Sequence, residues 1–138
     1  MSYARFTVAY WCVLVAVLLP FACAYLAKSR GLGKSRGAGG FDNADPRGWL
    51  ARQEGWQARA NAAQANSFEA LPFFIGAVLI AHQVGAPQGR LDILALLFVT
   101  LRIIYIVMYV AGLPTTRSAI WALAFLANLG IFLSAAFH

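Results

Sequence analysis

The chain has 138 residues, of which 61% are hydrophobic and only 12% are charged. A water-soluble domain carries roughly 25% charged residues, so this composition excludes a soluble globular protein and indicates one membrane domain, 1–138. The net charge of +6 would suit nucleic acid, but seven of the eleven basic residues lie between Lys28 and Arg59. Such clustering beside an apolar segment is typical of membrane topology and anionic lipid, and it argues against nucleic acid as a partner.

The first apolar segment covers residues 6–27 and is long enough to cross the bilayer, which needs roughly 20 residues. A cleaved signal peptide is the alternative, because Ala22-Cys23-Ala24 resembles a cleavage site. The positive cluster follows the segment instead of preceding it, which favours a retained span with its N-terminus outside the cytoplasm.

Residues 28–48 form a basic loop rich in glycine, which we predict to be flexible and cytoplasmic. One long helix is predicted over 49–82, polar in its first half and apolar in its second. Its membrane span is predicted at about 65–82.

The third and fourth spans are predicted at 91–113 and 118–137, separated by Gly112 and Pro114. Four spans joined by short turns predict an all-α, integral membrane four-helix bundle. The basic loop and Arg117 then share one side, so both termini face away from the cytoplasm. The topology favours a bacterial inner membrane, although an endoplasmic-reticulum membrane obeys the same charge rule.

Two polar stripes interrupt the apolar helices. Arg59, Asn66 and Glu69 fall within about 80° of one another around the second helix. Arg102, Tyr105 and Tyr109 form a similar stripe on the third helix. Intramembrane charges are costly and usually functional, so the stripes are predicted to face each other or a wet cavity.

The depth of the stripes predicts which residues meet. Glu69 and Arg102 each lie about 18–20 Å from the outer edge of the bundle, at 1.5 Å per helical residue. We therefore predict an intramembrane Glu69–Arg102 pair, with Asn66 level with Tyr105 and with Arg117 at the cytoplasmic mouth. Such a cavity suits a small anion that also carries an amine. The alternative is that Glu69 and Arg102 only neutralise each other's charge and hold the bundle together, and that Arg117 is an ordinary cytoplasmic anchor.

Three stretches resemble the MAPEG family, the membrane-associated proteins in eicosanoid and glutathione metabolism, in a bacterial-type form. They are RANAAQANSFEALPFF at 59–74, RIIYIVMY at 102–109 and PTTRS at 114–118. The number and order of the spans also match, so the resemblance covers nearly the whole chain.

The resemblance implies a homotrimer that binds glutathione between protomers near the cytoplasmic face. It implies that Asn66 and Glu69 hold the peptide and that Arg117 favours the thiolate. We predict that a tyrosine hydroxyl, that of Tyr109, assists. Further ligand-binding positions are implied or predicted at Arg59, Gln64, Arg102, Tyr105 and Ser118. No metal ligands are predicted.

One position departs from the family pattern. Glutathione-using members usually carry a second arginine four residues before the asparagine, and that position is Ala62 here. The leading hypothesis is a glutathione-dependent transferase or peroxidase that acts on a lipophilic electrophile from the bilayer. The alternatives are a non-catalytic protein of the same fold that binds a lipid or another small ligand, and a transporter or channel subunit.

Overall fold

The computed structural model describes residues 6–138, and its secondary structure is helical. Four of its helices are long and apolar enough to cross a membrane. The helices are α1 (Val8–Lys28), α2 (Pro46–Ala51), α3 (Gly55–Gln83), α4 (Gln88–Ala111) and α5 (Pro114–Ala136), with a 3₁₀ turn at Arg36–Ala38. The predicted all-α four-helix membrane bundle is confirmed, and the predicted span limits differ from α1, α4 and α5 by a few residues.

Small side chains allow the four long helices to pack closely. α1 lies along α3 and α4 lies along α5, while α3 also contacts α4 and α5. Alanines of all four helices are buried in the core, where the rings of Phe74 and Phe98 stack at 4.2 Å. Large apolar side chains such as Trp11, Ile93 and Leu126 point outward instead. This inverted distribution is what a bundle surrounded by lipid requires, because apolar side chains cost nothing against acyl chains.

The single helix predicted over 49–82 is wrong at its start. The structure has two helices there, and α2 ends at Ala51 before α3 begins at Gly55. The side chain of Gln53 donates to the carbonyl of Trp49 at 2.9 Å, which satisfies one of the last carbonyls of α2. Gly55 has a φ of +61°, a conformation that turns the chain away from the axis of α2.

Side chains from other helices cap both ends of α1. At its N-terminus, the backbone N–H of Ala9 donates to Oδ1 of Asp92 at 3.0 Å, and Gln88 donates to the same oxygen at 2.7 Å. At its C-terminus, the buried side chain of Gln57 donates to the carbonyl of Ala27 at 3.1 Å. These bonds satisfy helix-end groups that would otherwise be costly beside a bilayer.

The loop predicted to be flexible over 28–48 makes specific contacts. Lys28 lies over the ring of Phe41, whose edge meets Trp49 at 5.2 Å. Arg36 and Asp42 form a salt bridge at 3.4 Å. The loop therefore folds back onto α2 and covers the end of the bundle that carries most of the basic residues.

Candidate functional site

A polar pocket lies where α3, α4 and α5 meet near the first turn of α5. Its volume is about 300 Å³. It contains five of the residues singled out from the sequence together with Trp121: Asn66, Tyr105, Tyr109, Arg117 and Ser118. Asn66 and Tyr105 were predicted to lie at the same depth in the membrane, and both line this pocket.

Two tyrosine rings on the wall of the polar pocket lie between two arginines, Arg117 in the pocket and Arg102 in the adjoining cavity. The guanidinium of Arg102 lies 4.3 Å from the ring centroid of Tyr105, and that of Arg117 lies 4.3 Å from the ring centroid of Tyr109. The two tyrosine rings meet edge to face at 5.7 Å. Stacking on a ring fixes a guanidinium while leaving its N–H edge free to donate.

The predicted Glu69–Arg102 pair is wrong. Nη2 of Arg102 donates instead to Oδ1 of Asn66 at 2.8 Å, and the arginine is only 3% exposed. Across residues 6–138, the only salt bridge is Arg36–Asp42, outside the long helices. The amide oxygen of Asn66 thus satisfies one N–H group of the buried guanidinium without a second buried charge.

Glu69 lies on the exposed side of α3, on the wall of a second cavity. This cavity measures about 190 Å³ and adjoins the polar pocket, because Asn66 and Trp121 line both. Its other walls are mainly apolar and include Phe73, Phe98 and Phe125. We call it the α3–α5 cavity. It places an apolar chamber directly beside the polar pocket.

Arg59 is not at the polar pocket. Its Nε donates to the carbonyl of Val110 at 2.9 Å, one residue before the end of α4. Its guanidinium also passes the backbone at Gly112, where a Cβ atom would lie 3.5 Å from it. Arg59 therefore satisfies the C-terminus of α4, where a cation is also favoured by the helix dipole.

Gln64 lies in a different place from Asn66. It lines a third cavity of about 420 Å³, together with Arg47, Asn61 and Ala62. Residues two positions apart on a helix point in directions that differ by about 200°. Gln64 and Asn66 therefore face nearly opposite sides of α3. Gln64 therefore lies beside Ala62, the position that departs from the pattern of glutathione-using members, and not beside the stacked arginines and tyrosines.

Two polar or aromatic residues that line these cavities, Trp121 and Asn128, were not predicted from the sequence. Trp121 lines both the polar pocket and the α3–α5 cavity. Asn128 lines the α3–α5 cavity, is 3% exposed, and its Oδ1 has no hydrogen-bond partner among the described residues. A polar residue in the middle of an apolar span was the available signal for Asn128.

The described residues bring together no set of side chains that could bind a metal ion. No group of three or more histidine, cysteine, aspartate or glutamate side chains lies close enough together to hold an ion within residues 6–138.

Comparison with known proteins gives one match. The MAPEG family model matches residues 8–137, which is nearly the whole chain. None of the curated proteins and none of the solved structures matches it. The match covers all four long helices and every residue of the polar pocket. The chain is an integral, multi-pass membrane protein, and it belongs to the MAPEG family.

Proposed function

We propose that the protein is a glutathione-dependent transferase or peroxidase-like enzyme that acts on lipophilic electrophiles. The observation that carries the proposal is the position of Arg117, stacked on Tyr109 in a pocket that also contains Asn66 and Ser118. A guanidinium fixed beside a thiol stabilises the thiolate and raises its fraction at neutral pH. Glutathione supplies such a thiol together with two carboxylates and one ammonium group.

The charges around the pocket complement those of the tripeptide. Arg117 at the mouth is free to hold a carboxylate or the thiolate, and Asn66 and the tyrosine hydroxyls can bond peptide groups. The carboxylate of Glu69, on the adjoining wall, suits the ammonium group. These complementary charges support binding of the whole tripeptide in one orientation.

The exposure of Glu69 supports a homotrimer in which a neighbouring protomer completes the site. Glu69 lies about 21 Å from each end of α3. It falls inside the predicted span of 65–82, where a carboxylate that faces lipid is costly. A second copy that covers this side of α3 would shield Glu69.

The chemical step needs little from the protein beyond position and charge. The thiolate sulfur forms a carbon–sulfur bond to the electrophilic carbon, and a leaving group such as halide departs with its bonding electrons. The thiol proton passes to solvent. Arg117 stabilises the thiolate before attack, and the hydroxyl of Tyr109 donates a hydrogen bond to the developing negative charge.

Calorimetric titration of glutathione into the detergent-purified protein tests the binding step. Arg117→Ala and Glu69→Ala are each expected to weaken binding by about tenfold or more, because each removes a charged hydrogen bond. Arg90→Ala, at the opposite end of the bundle, serves as the control and should leave binding unchanged. Absence of binding at millimolar glutathione would overturn the proposal.

Turnover of an aryl halide with saturating glutathione tests the catalytic step. The enzyme should release halide, and Arg117→Ala should lower the rate of release at neutral pH by about tenfold or more. Binding without turnover would favour the second candidate, a non-catalytic family member that holds a lipid or another small ligand. Ala62 favours that candidate, since an alanine stands where glutathione-using members carry an arginine. Native mass spectrometry of the purified protein would then show a co-purifying ligand.

A further inference from the structure

We propose that the α3–α5 cavity binds the tail of a lipophilic molecule that carries a hydrogen-bond donor, and that Asn128 selects for this donor. The proposal deepens the proposed function, because it names the class of second substrate, and its glutathione step rests on that function. The occupant is a mainly apolar molecule with a hydroxyl or N–H group on its tail.

The first argument is the unpaired oxygen of Asn128. The residue is 3% exposed, it lines the cavity, and its Oδ1 has no partner within residues 6–138. Leaving a buried amide oxygen unpaired costs roughly 1–3 kcal/mol, so such groups are normally bonded. The oxygen is shielded in the structure. A turn of the amide about its Cβ–Cγ bond would bring it to the cavity, where a donor on an occupant would satisfy it.

The second argument is the chemistry of the cavity walls. Phe73, Phe98 and Phe125 contribute aromatic surface, and Ala70 and Ala124 leave the space open. Small sites for organic ligands typically combine apolar walls with a few fixed polar groups. Asn128 is such a group here, and the walls around it suit hydrocarbon.

The third argument is the position of the cavity relative to the polar pocket. Trp121 lies on the wall that both share, and Asn128 lies seven residues farther along α5, about 10 Å away. A molecule with its electrophilic carbon at Trp121 therefore reaches Asn128 with a tail of about this length. Arg117 lies about 16 Å from Asn128 along α5, so a thiolate held at the arginine stays clear of Asn128.

Selective binding of two matched, unreactive probes in nanodiscs tests the proposal. The probes are para-octylphenol, which has a donor, and para-octylanisole, in which a methyl group replaces the phenolic hydrogen. Tryptophan fluorescence reports binding, and Trp121→Phe identifies the part of the signal that comes from the cavity. The measured quantity is the dissociation constant of the anisole divided by that of the phenol.

Asn128→Leu should lower this ratio by about three- to tenfold, the worth of one hydrogen bond. Comparing the ratio between two proteins cancels the different partitioning of the probes into lipid. An unchanged ratio would overturn the proposal. Because leucine removes an unpaired polar group, the variant should also unfold at no lower SDS fraction than the native protein.

A second variant narrows the chamber without touching Asn128. Ala70→Leu should weaken both probes to a similar extent and leave their ratio unchanged. Equal affinities in the native protein and in Ala70→Leu would show that the probes bind elsewhere, which also overturns the proposal.

Glutathione calorimetry on the same samples separates the two proposals. Probe selectivity that depends on Asn128, in a protein that binds no glutathione, would overturn the enzyme and leave the donor site standing. Glutathione binding without probe selectivity would overturn the donor site and leave the proposed enzyme standing.

Discussion

Arg102 and Asn66 form a hydrogen bond of 2.8 Å between α4 and α3, with the guanidinium buried. Asn66 thus has two neighbours of different kinds, a fixed cation inside the bundle and the open polar pocket. The bond orients the amide, so it determines which group of Asn66 remains available to a ligand.

Asn66→Leu should destabilise the protein by about 1–3 kcal/mol, because it leaves a buried guanidinium group without its acceptor. The midpoint of SDS-induced unfolding in mixed micelles measures this loss. Asn61→Leu, on another face of the same helix, is the matched control and should change the midpoint little. Equal midpoints for the two variants would show that the bond contributes nothing to stability.

Replacing Arg117 should change the pH dependence of turnover. In the proposed function the arginine lowers the pKa of the bound thiol, so without it the thiolate would form only at higher pH. For Arg117→Met we expect a rate about tenfold or more lower at neutral pH, one pKa unit being a factor of ten. The deficit should shrink as the pH rises. Arg117→Lys keeps the charge and should keep most of the native profile, whereas a deficit that is constant with pH would contradict this role.

Arg59→Met should loosen the end of α4. Amides of residues 108–113 should exchange with deuterium faster, and stability should fall by about 1.5–3 kcal/mol, the value of a charge-assisted hydrogen bond. Exchange mass spectrometry resolves this segment, and the exposed Arg52→Met is the control. Unchanged exchange together with lost glutathione affinity would assign Arg59 to the ligand, as the sequence analysis predicted.

Ala62→Arg should restore a cation that the family pattern contains. A second charged hydrogen bond is worth about 1.5–3 kcal/mol, so glutathione affinity should rise by about ten- to a hundredfold. Ala58→Arg, one helical turn earlier on the wall of the same cavity, is the matched control. A similar gain from both variants would show only a general attraction between charges.

Membrane orientation can be measured at the C-terminus. The basic loop and Arg117 predict that His138 lies outside the cytoplasm of a bacterial cell. Alkaline phosphatase fused there should be active, and green fluorescent protein fused there should stay dark. The opposite pattern would invert the bundle and place the polar pocket at the outer face.

The membrane helices were predictable because length and hydropathy determine them locally. Arg102 was predicted to lie level with Glu69, and Asn66 level with Tyr105, since helical rise is constant. The pairing of Arg102 with Asn66 was not predictable, because Asn66 and Glu69 differ by only about 4.5 Å in depth. The choice between them depends on how deeply each is buried, and burial is known only after the helices are packed.

The contact of Arg59 was hidden from the sequence for another reason. Its partner is a backbone carbonyl at Val110, and every residue has such a group, so no residue type indicates it. Gln64 illustrates the limit of a linear motif. It lies two residues from Asn66 in the chain but lines a separate cavity.

The depth of Asn128 has a consequence for how the two proposed ligands are supplied. Asn128 lies about 12 Å from the C-terminal end of α5, within a membrane-crossing length of helix, so a ligand that reaches it would first dissolve in the bilayer. Occupancy then follows the mole fraction of ligand per lipid. Adding empty vesicles at constant volume should empty the α3–α5 cavity by dilution and leave the glutathione equilibrium untouched. Occupancy of the α3–α5 cavity would thus depend on the ligand concentration in the bilayer, and occupancy of the polar pocket on the glutathione concentration in water.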